Sequence, residues 1–308
     1  MKAKELTEGA ISLVIYIIIL LMFLYLPFFG GLFTFVLPFP FLYYTAKYNW
    51  KAGLLFFTAS VILTFIVGSW IALPIPFLYG FVGFVLGWNI YHQREALITF
   101  STSTLALLCS VVVVYIISAT LFNMNFIKEA QTIFKEVMDQ TISMFNYMGE
   151  NTDQIKEQLT EAYDLIISLL PSLLILSSAL IVLIIQFISY PILKRFGIHV
   201  KAAKPFREIT LPKSLIWYFL ITTFLSFIVE AEKGTFLYNV FINLLYLIDI
   251  LFVLQAITFI FDYCYKKRIH KAWAIVVSVF IMLNPVFNQL AKILGIIDLG
   301  FELRKRIQ

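Results

Sequence analysis

Charged residues are scarce in this sequence. Only 13% of the 308 residues are Asp, Glu, Lys or Arg, whereas 61% are hydrophobic and 17% are aromatic. A globular domain carries about 25% charged residues, so this chain has too little polar surface to stay in water. Apolar runs of about 20 residues recur from end to end, and each can cross about 30 Å of hydrocarbon as a helix. The composition therefore predicts an integral membrane protein.

Cysteine and histidine are also rare, which argues against several kinds of site. The two cysteines, Cys109 and Cys264, form no C-x-x-C pair, and the three histidines form no H-x-x-x-H or H-E motif. P-loop and nucleophile-elbow motifs are missing as well. We therefore expect no metal site, no cofactor, no catalytic residues and no enzymatic activity.

The apolar runs predict an all-α fold. Stretches such as VIYIIILLMFLYL do not alternate as the strands of a membrane β-barrel would. We predict a polytopic transmembrane helical bundle of eight to nine spans in three segments: an N-terminal membrane bundle with duplicated helical hairpins (1–122), an extracytoplasmic amphipathic helical hairpin (123–164) and a C-terminal membrane bundle (165–308). The nine candidate spans lie at 10–26, 31–46, 53–73, 75–91, 96–121, 165–193, 215–229, 237–261 and 273–294.

The distribution of positive charge predicts the orientation. If the N-terminus is cytoplasmic, most lysines and arginines fall in inner loops, and the outer loops hold only Lys128, Lys135, Lys156 and Lys233. Lysine and arginine favour the cytoplasmic side of membrane proteins. We therefore expect a multi-pass protein of the bacterial plasma membrane with a cytoplasmic N-terminus. The net charge of +5 is accounted for in this way, so no nucleic-acid partner is expected.

The sequence does not decide on which side of the membrane the C-terminus lies. Nine crossings would place the basic tail FELRKRIQ outside, against the charge rule. Asn284-Pro285 interrupts the last apolar run, and proline removes a helical hydrogen bond. The run is therefore either a ninth span or a re-entrant hairpin.

The segment at 123–164 differs from the rest of the chain because it is acidic and amphipathic. It has three lysines against eight carboxylates, and Phe126, Ala130, Phe134, Val137 and Phe145 recur at helical spacing. A glycine at position 149, within the GENTDQ stretch, predicts a break between two helices. This segment either packs on the outer face of the bundle or serves as a lid or docking surface.

A repeated motif contains four prolines. LPFPFLYY at 37–44 returns as LPIPFLYG at 73–80, with six of eight positions identical. Each Pro-x-Pro withholds two backbone donors, so a helix begins or breaks there, and irregular backbone at membrane depth lies beside protein or a wet cavity. The repeat predicts an outward-facing cavity lined by Pro38, Pro40, Pro74 and Pro76. Chance similarity within an apolar chain is the alternative.

One acid lies near the middle of a predicted span. Asp249 stands 12 residues from either end of the run at 237–261, where an ionised carboxylate costs about 2.5–3.5 kcal/mol. Tyr246 lies one turn earlier, and Asn243 and Asn284 are further neutral candidates; no lysine or arginine is expected at this depth. Asp249 either binds a cationic or hydrogen-bonding solute or serves as a neutral tie between helices.

Several stretches resemble a known family. KELTEGAISLVIYIIILLMFLYLP, LPFPFLYYTAKY, KPFREITLPKSLIWYFLI and LGIIDLGFELRKR are similar to the YybS-like family of uncharacterised membrane proteins from Gram-positive bacteria. The resemblance implies a multi-spanning plasma-membrane protein whose gene often lies near that of a membrane-bound cyclic-dinucleotide phosphodiesterase. The first half also resembles the substrate-capture subunits of energy-coupling-factor vitamin transporters, with Ala10-Ile-Ser-Leu-Val14 where those proteins have alanine-x-x-x-alanine.

Two functions remain open from the sequence. The first is a transporter or substrate-capture subunit for a small solute, with an outward-facing cavity and an energising partner or ion gradient. The alternative is a scaffold or regulator that moves nothing and binds a membrane partner such as a cyclic-dinucleotide phosphodiesterase. Membrane lipid is expected as a partner in both cases.

Overall fold

A computed structural model describes residues 3–26, 30–121, 125–147, 152–229 and 231–306. These residues form helices joined by short turns, and no strand occurs within them. The all-α prediction is therefore confirmed. The chain divides into two compact units, Met1–Lys156 with Leu174–Ala203, and Glu157–Leu173 with Lys204–Gln308. The boundaries at 122 and 164 stay predictions from the sequence.

The first unit is built mainly from the N-terminal helices. They are α1 (Ala3–Tyr25), α2 (Gly30–Phe33), α3 (Phe39–Lys47), α4 (Trp50–Gly68), a 3₁₀ turn (Trp70–Ala72), a π-helical turn (Pro76–Gly80), α5 (Phe81–Tyr91), α6 (Ala96–Leu121) and α7 (Phe126–Tyr147). α8 (Thr152–Ser168) and α9 (Leu170–Arg195) follow, and most of α9 belongs to this unit.

The proline repeat brings two helices of the first unit into close contact. Proline withholds backbone donors, and residues 34–38 are turns, so the run predicted to span 31–46 is broken into α2 and α3. α3 then packs on α5: a β-carbon at Gly83 would collide with the carbonyl oxygen of Pro38, and one at Gly87 with that of Leu42. The small-residue pair of α5 thus allows contact between backbones.

The second unit is built from the C-terminal helices. They are α10 (Ser214–Ile228), α11 (Phe236–Lys266), α12 (Lys271–Leu283), α13 (Pro285–Phe301) and α14 (Leu303–Arg306), with a 3₁₀ turn at Phe206–Glu208. Asn284 ends α12 and caps α13, because its Oδ1 accepts hydrogen bonds from the backbone N–H groups of Val286 and Phe287. α12 and α13 are bent by 114° at this residue, so the predicted break at Asn284-Pro285 is confirmed.

Six of the described helices are long and apolar enough to cross a membrane, or seven if the bent pair α12–α13 counts as one span. The sequence predicted eight to nine. The difference lies in α2 and α3, which are interrupted, and in α10, which has 15 residues. A helix of 15 residues is about 22 Å long, shorter than the hydrocarbon core.

Two amphipathic helices occupy most of the acidic segment, as predicted. α7 has 22 residues and α8 has 17, and α9 begins two residues after the end of α8. The predicted break at Gly149 lies outside the described residues. Exposed apolar side chains at Ile133, Val137 and Met144 mark one stripe of α7.

Candidate functional site

Helices α11 and α13 run parallel and in register. Asp249 pairs with Lys292 and Gln255 pairs with Asp298, and both pairs join residues 43 positions apart in the sequence. Halfway between them, a β-carbon at Gly295 would collide with the carbonyl oxygen of Phe252, so glycine is required for this approach. Residues three apart on a helix share one face, which explains why successive contacts of the two helices fall at steps of three.

The first of these contacts is an ion pair in the middle of α11. Lys292 Nζ lies 2.6 Å from Oδ1 and 2.7 Å from Oδ2 of Asp249. The expectation that no basic side chain reaches Asp249 is therefore wrong. A continuous ninth span would carry Lys292 to the outer edge of the membrane, but the bend at Asn284 returns α13 alongside α11 and brings the lysine to the level of Asp249.

An aromatic ring completes the surroundings of this pair. Lys292 Nζ lies 5.0 Å from the centroid of the Phe219 ring, on α10, at a distance suited to a cation–π contact. The side chain of Asp249 is 35% exposed and that of Lys292 is 20% exposed. The pair is electrically neutral as a whole, which lowers the cost of holding two charges at this depth, and part of the carboxylate is open to the surroundings of the helices.

The other residues predicted to assist Asp249 have different contacts. Asn243 joins α11 to the start of α9: its Oδ1 accepts from Ser172 N–H at 2.9 Å, and its Nδ2 donates to the Ser168 carbonyl at 2.6 Å. Asn284 caps α13. Tyr246 is partly buried, and no hydrogen bond joins it to Asp249 among the described residues. The structure thus gives Asp249 a lysine in place of the predicted tyrosine and amides.

The four prolines predicted to line a cavity have separate environments. Pro38, Pro40 and Pro76 are buried and Pro74 is half-buried. Pro40 lines a groove of about 290 Å³ together with residues of α1, including Glu8 and Ile15. Pro38 lies at the contact of α3 with α5. The outward-facing cavity itself stays a prediction.

A second acid–base pair joins the end of α13 to the short helix α14 that follows it. Asp298 Oδ2 accepts from Arg304 Nε at 3.0 Å and from Gln255 Nε2 at 2.6 Å. Arg304 Nη2 also donates to Thr258 Oγ1 at 2.6 Å. The side chain of Asp298 is 1% exposed and that of Arg304 is 11% exposed. This pair is therefore buried, and side chains of α11 supply further hydrogen bonds to both of its members.

Arg304 also anchors the tail of the chain to the loop before α10. Its Nη1 donates to the carbonyl oxygens of Arg207 and Ile209, at 2.8 and 3.0 Å, and Lys266 Nζ donates to the Arg304 carbonyl at 2.5 Å. The tail, the loop before α10 and the end of α11 therefore meet at one end of this unit. α12 and α13 start and finish at that end, as a re-entrant hairpin does.

The sequence contains part of the information needed to predict the contacts between α11 and α13. Lys292 and Asp298 are the charges within the apolar run of α13, and their six-residue separation matches that of Asp249 and Gln255 on α11. Recognising the match requires knowing that the two helices run parallel, which depends on the bend at Asn284. Within the described residues, no three His, Cys, Asp or Glu side chains are grouped to hold a metal ion.

Comparison with known proteins identifies the family. Residues 14–299 match the family described as predicted membrane protein DUF2232. The chain is also 30% identical over 310 residues to the uncharacterised protein YybS of Bacillus subtilis (strain 168), an alignment that covers 100% of this chain and 99% of that protein. The chain belongs to this family, and the YybS-like resemblance is confirmed. No solved structure gives a significant match. The resemblance to vitamin-capture subunits stays a prediction.

Proposed function

We propose that this multi-pass membrane protein transports a small polar solute, and that Asp249 and Lys292 form its solute site. The observation that carries the proposal is the ion pair between the long apolar helix α11 and the bent α12–α13 pair. Ionisable residues within membrane helices are rare and commonly mark substrate and ion pathways. Broken helices at membrane depth are likewise a feature of transporter binding sites.

The chemistry of the pair supports an exchange of partners. Separating the two charges within the membrane is costly unless each acquires a new partner. A solute carboxylate that takes the place of Asp249 on Lys292 satisfies the lysine, and a proton taken up by Asp249 removes its negative charge. Solute and proton would then enter together without adding net charge to the site. This scheme replaces the cationic solute expected for an unpaired Asp249 by an anionic one.

The topology in this proposal has both termini in the cytoplasm of a bacterium, with the interrupted α2–α3 segment and the 15-residue α10 each crossing the membrane. The tail contacts the loop at 204–213 and Lys266, which belong to the basic loops assigned to the inner side. A re-entrant α12–α13 hairpin returns the tail to that side and removes its conflict with the charge rule. The energy of transport would come from the proton gradient or from an energising membrane partner. No catalytic step is part of this proposal.

The test combines ligand binding with proton movement. The purified protein is unfolded by heat at pH 5 to 8 with a panel of small carboxylates, amino acids, vitamins and amines, because a ligand that binds only the folded state raises the midpoint. A solute that stabilises the wild type is then added to proteoliposomes containing a pH-sensitive dye. We expect an anionic solute to acidify the lumen, and Asp249→Asn to abolish acidification.

A matched control acid lies on the same helix. Asp262 is paired with Lys266 at 3.3 Å near the inner end of α11, so Asp262→Asn should leave solute binding and acidification unchanged. If no solute stabilises the wild type or acidifies the lumen, and Asp249→Asn only lowers the unfolding midpoint, the pair is a structural tie. The scaffold alternative, in which the chain binds a membrane partner and moves nothing, would then take the place of transport.

A further inference from the structure

The first unit contains an apolar groove that opens at the side of α1. The groove of about 290 Å³ lies between α1, α3 and the end of α9, and its apolar wall is formed by Ile11, Ile15, Phe39 and Phe196. Ile11 is 56% exposed and Ile15 is 44% exposed. Their spacing of four places both on one face of α1. In a membrane helix such a face meets lipid, so the groove is accessible to a hydrocarbon chain.

The groove has a polar end with a defined structure. Glu8, which lines it, accepts from Tyr48 OH at 2.7 Å and is paired with Lys47 Nζ at 2.5 Å. Lys47 also donates to Tyr43 OH at 3.0 Å. The carboxylate is therefore already neutralised and hydrogen-bonded, and it has no need of a cationic ligand. The groove therefore passes from apolar residues to a polar end at which the charges of Glu8 and Lys47 are paired.

Basic residues adjoin the groove at Phe196. This side chain contacts Tyr43 with ring centroids 5.2 Å apart, and Lys194 and Arg195 directly precede it, both exposed. Lys194 also lines a recess of about 460 Å³ with His199. The apolar groove and the basic recess thus meet at residues 194–197.

The loop that forms the basic recess is held in place. His199 Nδ1 lies 2.9 Å from Gln93 Oε1, and Gln93 Nε2 donates to the His199 carbonyl at 2.9 Å. The backbone N–H of Ile198 donates to the Leu193 carbonyl at 3.1 Å, which closes the end of α9. Two contacts with Gln93, just after α5, and one with α9 therefore hold the backbone of this loop beside the groove.

We propose that the groove and the basic recess together bind an anionic phospholipid, with one acyl chain along Ile11 and Ile15 and the phosphate at Lys194 and Arg195. Positive side chains attract anionic lipids at the cytoplasmic face of a membrane, and the apolar groove supplies the chain-binding part that a free phosphate would not use. The proposal does not depend on the transport function, because the site lies in the other unit of the chain.

Native mass spectrometry of the delipidated protein tests the site with three probes: phosphatidylglycerol, phosphatidylcholine with the same chains, and inorganic phosphate. We expect phosphatidylglycerol to remain bound at least about tenfold more than phosphatidylcholine, which corresponds to about 1.4 kcal/mol. The double change Lys194→Gln and Arg195→Gln should remove this preference. Equal retention of the two lipids by the wild type would overturn the proposal, and so would competition by inorganic phosphate alone.

A second set of variants tests the groove separately from the charge. Ile15→Trp fills the groove and should reduce retention of phosphatidylglycerol at least about fivefold, about 1 kcal/mol. Val14→Trp is the matched control, because Val14 is 56% exposed on the neighbouring face of α1 and should retain the lipid. Ile11→Trp replaces Ile15→Trp if the latter does not fold. Unchanged retention in a folded groove-filling variant would contradict the proposal.

Discussion

Two acid–base pairs involve α13, one with α11 and the other with α14, and their surroundings differ sharply. Asp249–Lys292 has the Phe219 ring as its neighbour, and its side chains are 35% and 20% exposed. Asp298–Arg304 is 1% and 11% exposed and is hydrogen-bonded to side chains and carbonyl oxygens of α11 and of the loop before α10. One acid–base pair thus has few other contacts, and the other is part of a dense hydrogen-bond network.

The difference indicates which pair can change state. A buried pair that is also hydrogen-bonded to several neighbouring groups loses many contacts when it opens, and removing one partner is strongly destabilising. A pair with few other contacts loses only the attraction between its two charges when it opens. Its members can therefore bind a proton or a ligand in place of each other. We therefore assign a structural role to Asp298–Arg304 and place the proposed solute site at Asp249–Lys292.

The largest effect is expected at the buried pair. Arg304→Met removes the guanidinium, leaves Asp298 buried without its cation and frees two loop carbonyls, so unfolding free energy should fall by about 3–5 kcal/mol. Thermal or denaturant unfolding in detergent measures the change. Arg306→Met, at an exposed arginine two residues away, should change stability by less than about 0.5 kcal/mol. Equal stability of the two variants would show that the network contributes little.

A smaller loss is expected when the first pair is broken. Lys292→Met leaves Asp249 unpaired at mid-membrane, which should cost up to about 3 kcal/mol at pH 8. The double variant Asp249→Asn, Lys292→Met should recover most of the lost stability. A loss that the double variant does not recover would place Asp249 in contact with other charges.

A substitution at Gly295 tests the close approach of α11 and α13 between the two pairs. Gly295→Ala forces a β-carbon onto the Phe252 carbonyl, so α11 and α13 must separate, and we expect a loss of about 1–3 kcal/mol. Gly300→Ala meets nothing closer than 3.7 Å and should be neutral or stabilising by up to about 1 kcal/mol. Unfolding midpoints of the two variants give the comparison. A neutral Gly295→Ala would mean that the helices do not approach as closely as described.

Several of these features were predictable from the sequence because they depend on local chemistry. Helical spans follow from apolar composition, and the break at Asn284-Pro285 follows from the missing proline donor and the capping asparagine. Asp249 was identified because an isolated acid in an apolar run is costly. These inferences need only neighbouring residues, and the structure agrees with them for the fold and for the break.

The partners of Asp249 were not predictable in the same way. Lys292 reaches it only because α13 turns back beside α11, and a single crossing would have placed the lysine near the outer edge. Arg304 was likewise identified only as part of the basic tail, because the partners of its guanidinium other than Asp298 lie 46 to 97 residues away in the sequence. Helical periodicity identifies the face on which a residue lies, but it does not identify which distant helix covers that face.

The smallest effect is expected at the outer edge of the tail network. Glu302 is paired with Lys213 and with Lys305, and these two ammonium groups lower the pKa of its carboxyl to about 2. The unfolded chain has a glutamate pKa of about 4.3. A carboxyl with a lowered folded-state pKa adds stability above about pH 4.3 and loses it as the pH falls towards 2.

The wild-type unfolding midpoint should therefore fall slightly more between pH 5 and pH 3 than that of Glu302→Gln, which has no carboxyl to protonate. The difference should be much smaller than that between Arg304→Met and the wild type, because an exposed ion pair contributes little in water. It should also decrease in high salt, which screens exposed charges. Identical acid profiles for Glu302→Gln and the wild type would show that Lys213 and Lys305 do not hold the carboxylate in solution, so the tail would be fixed by Arg304 without their help.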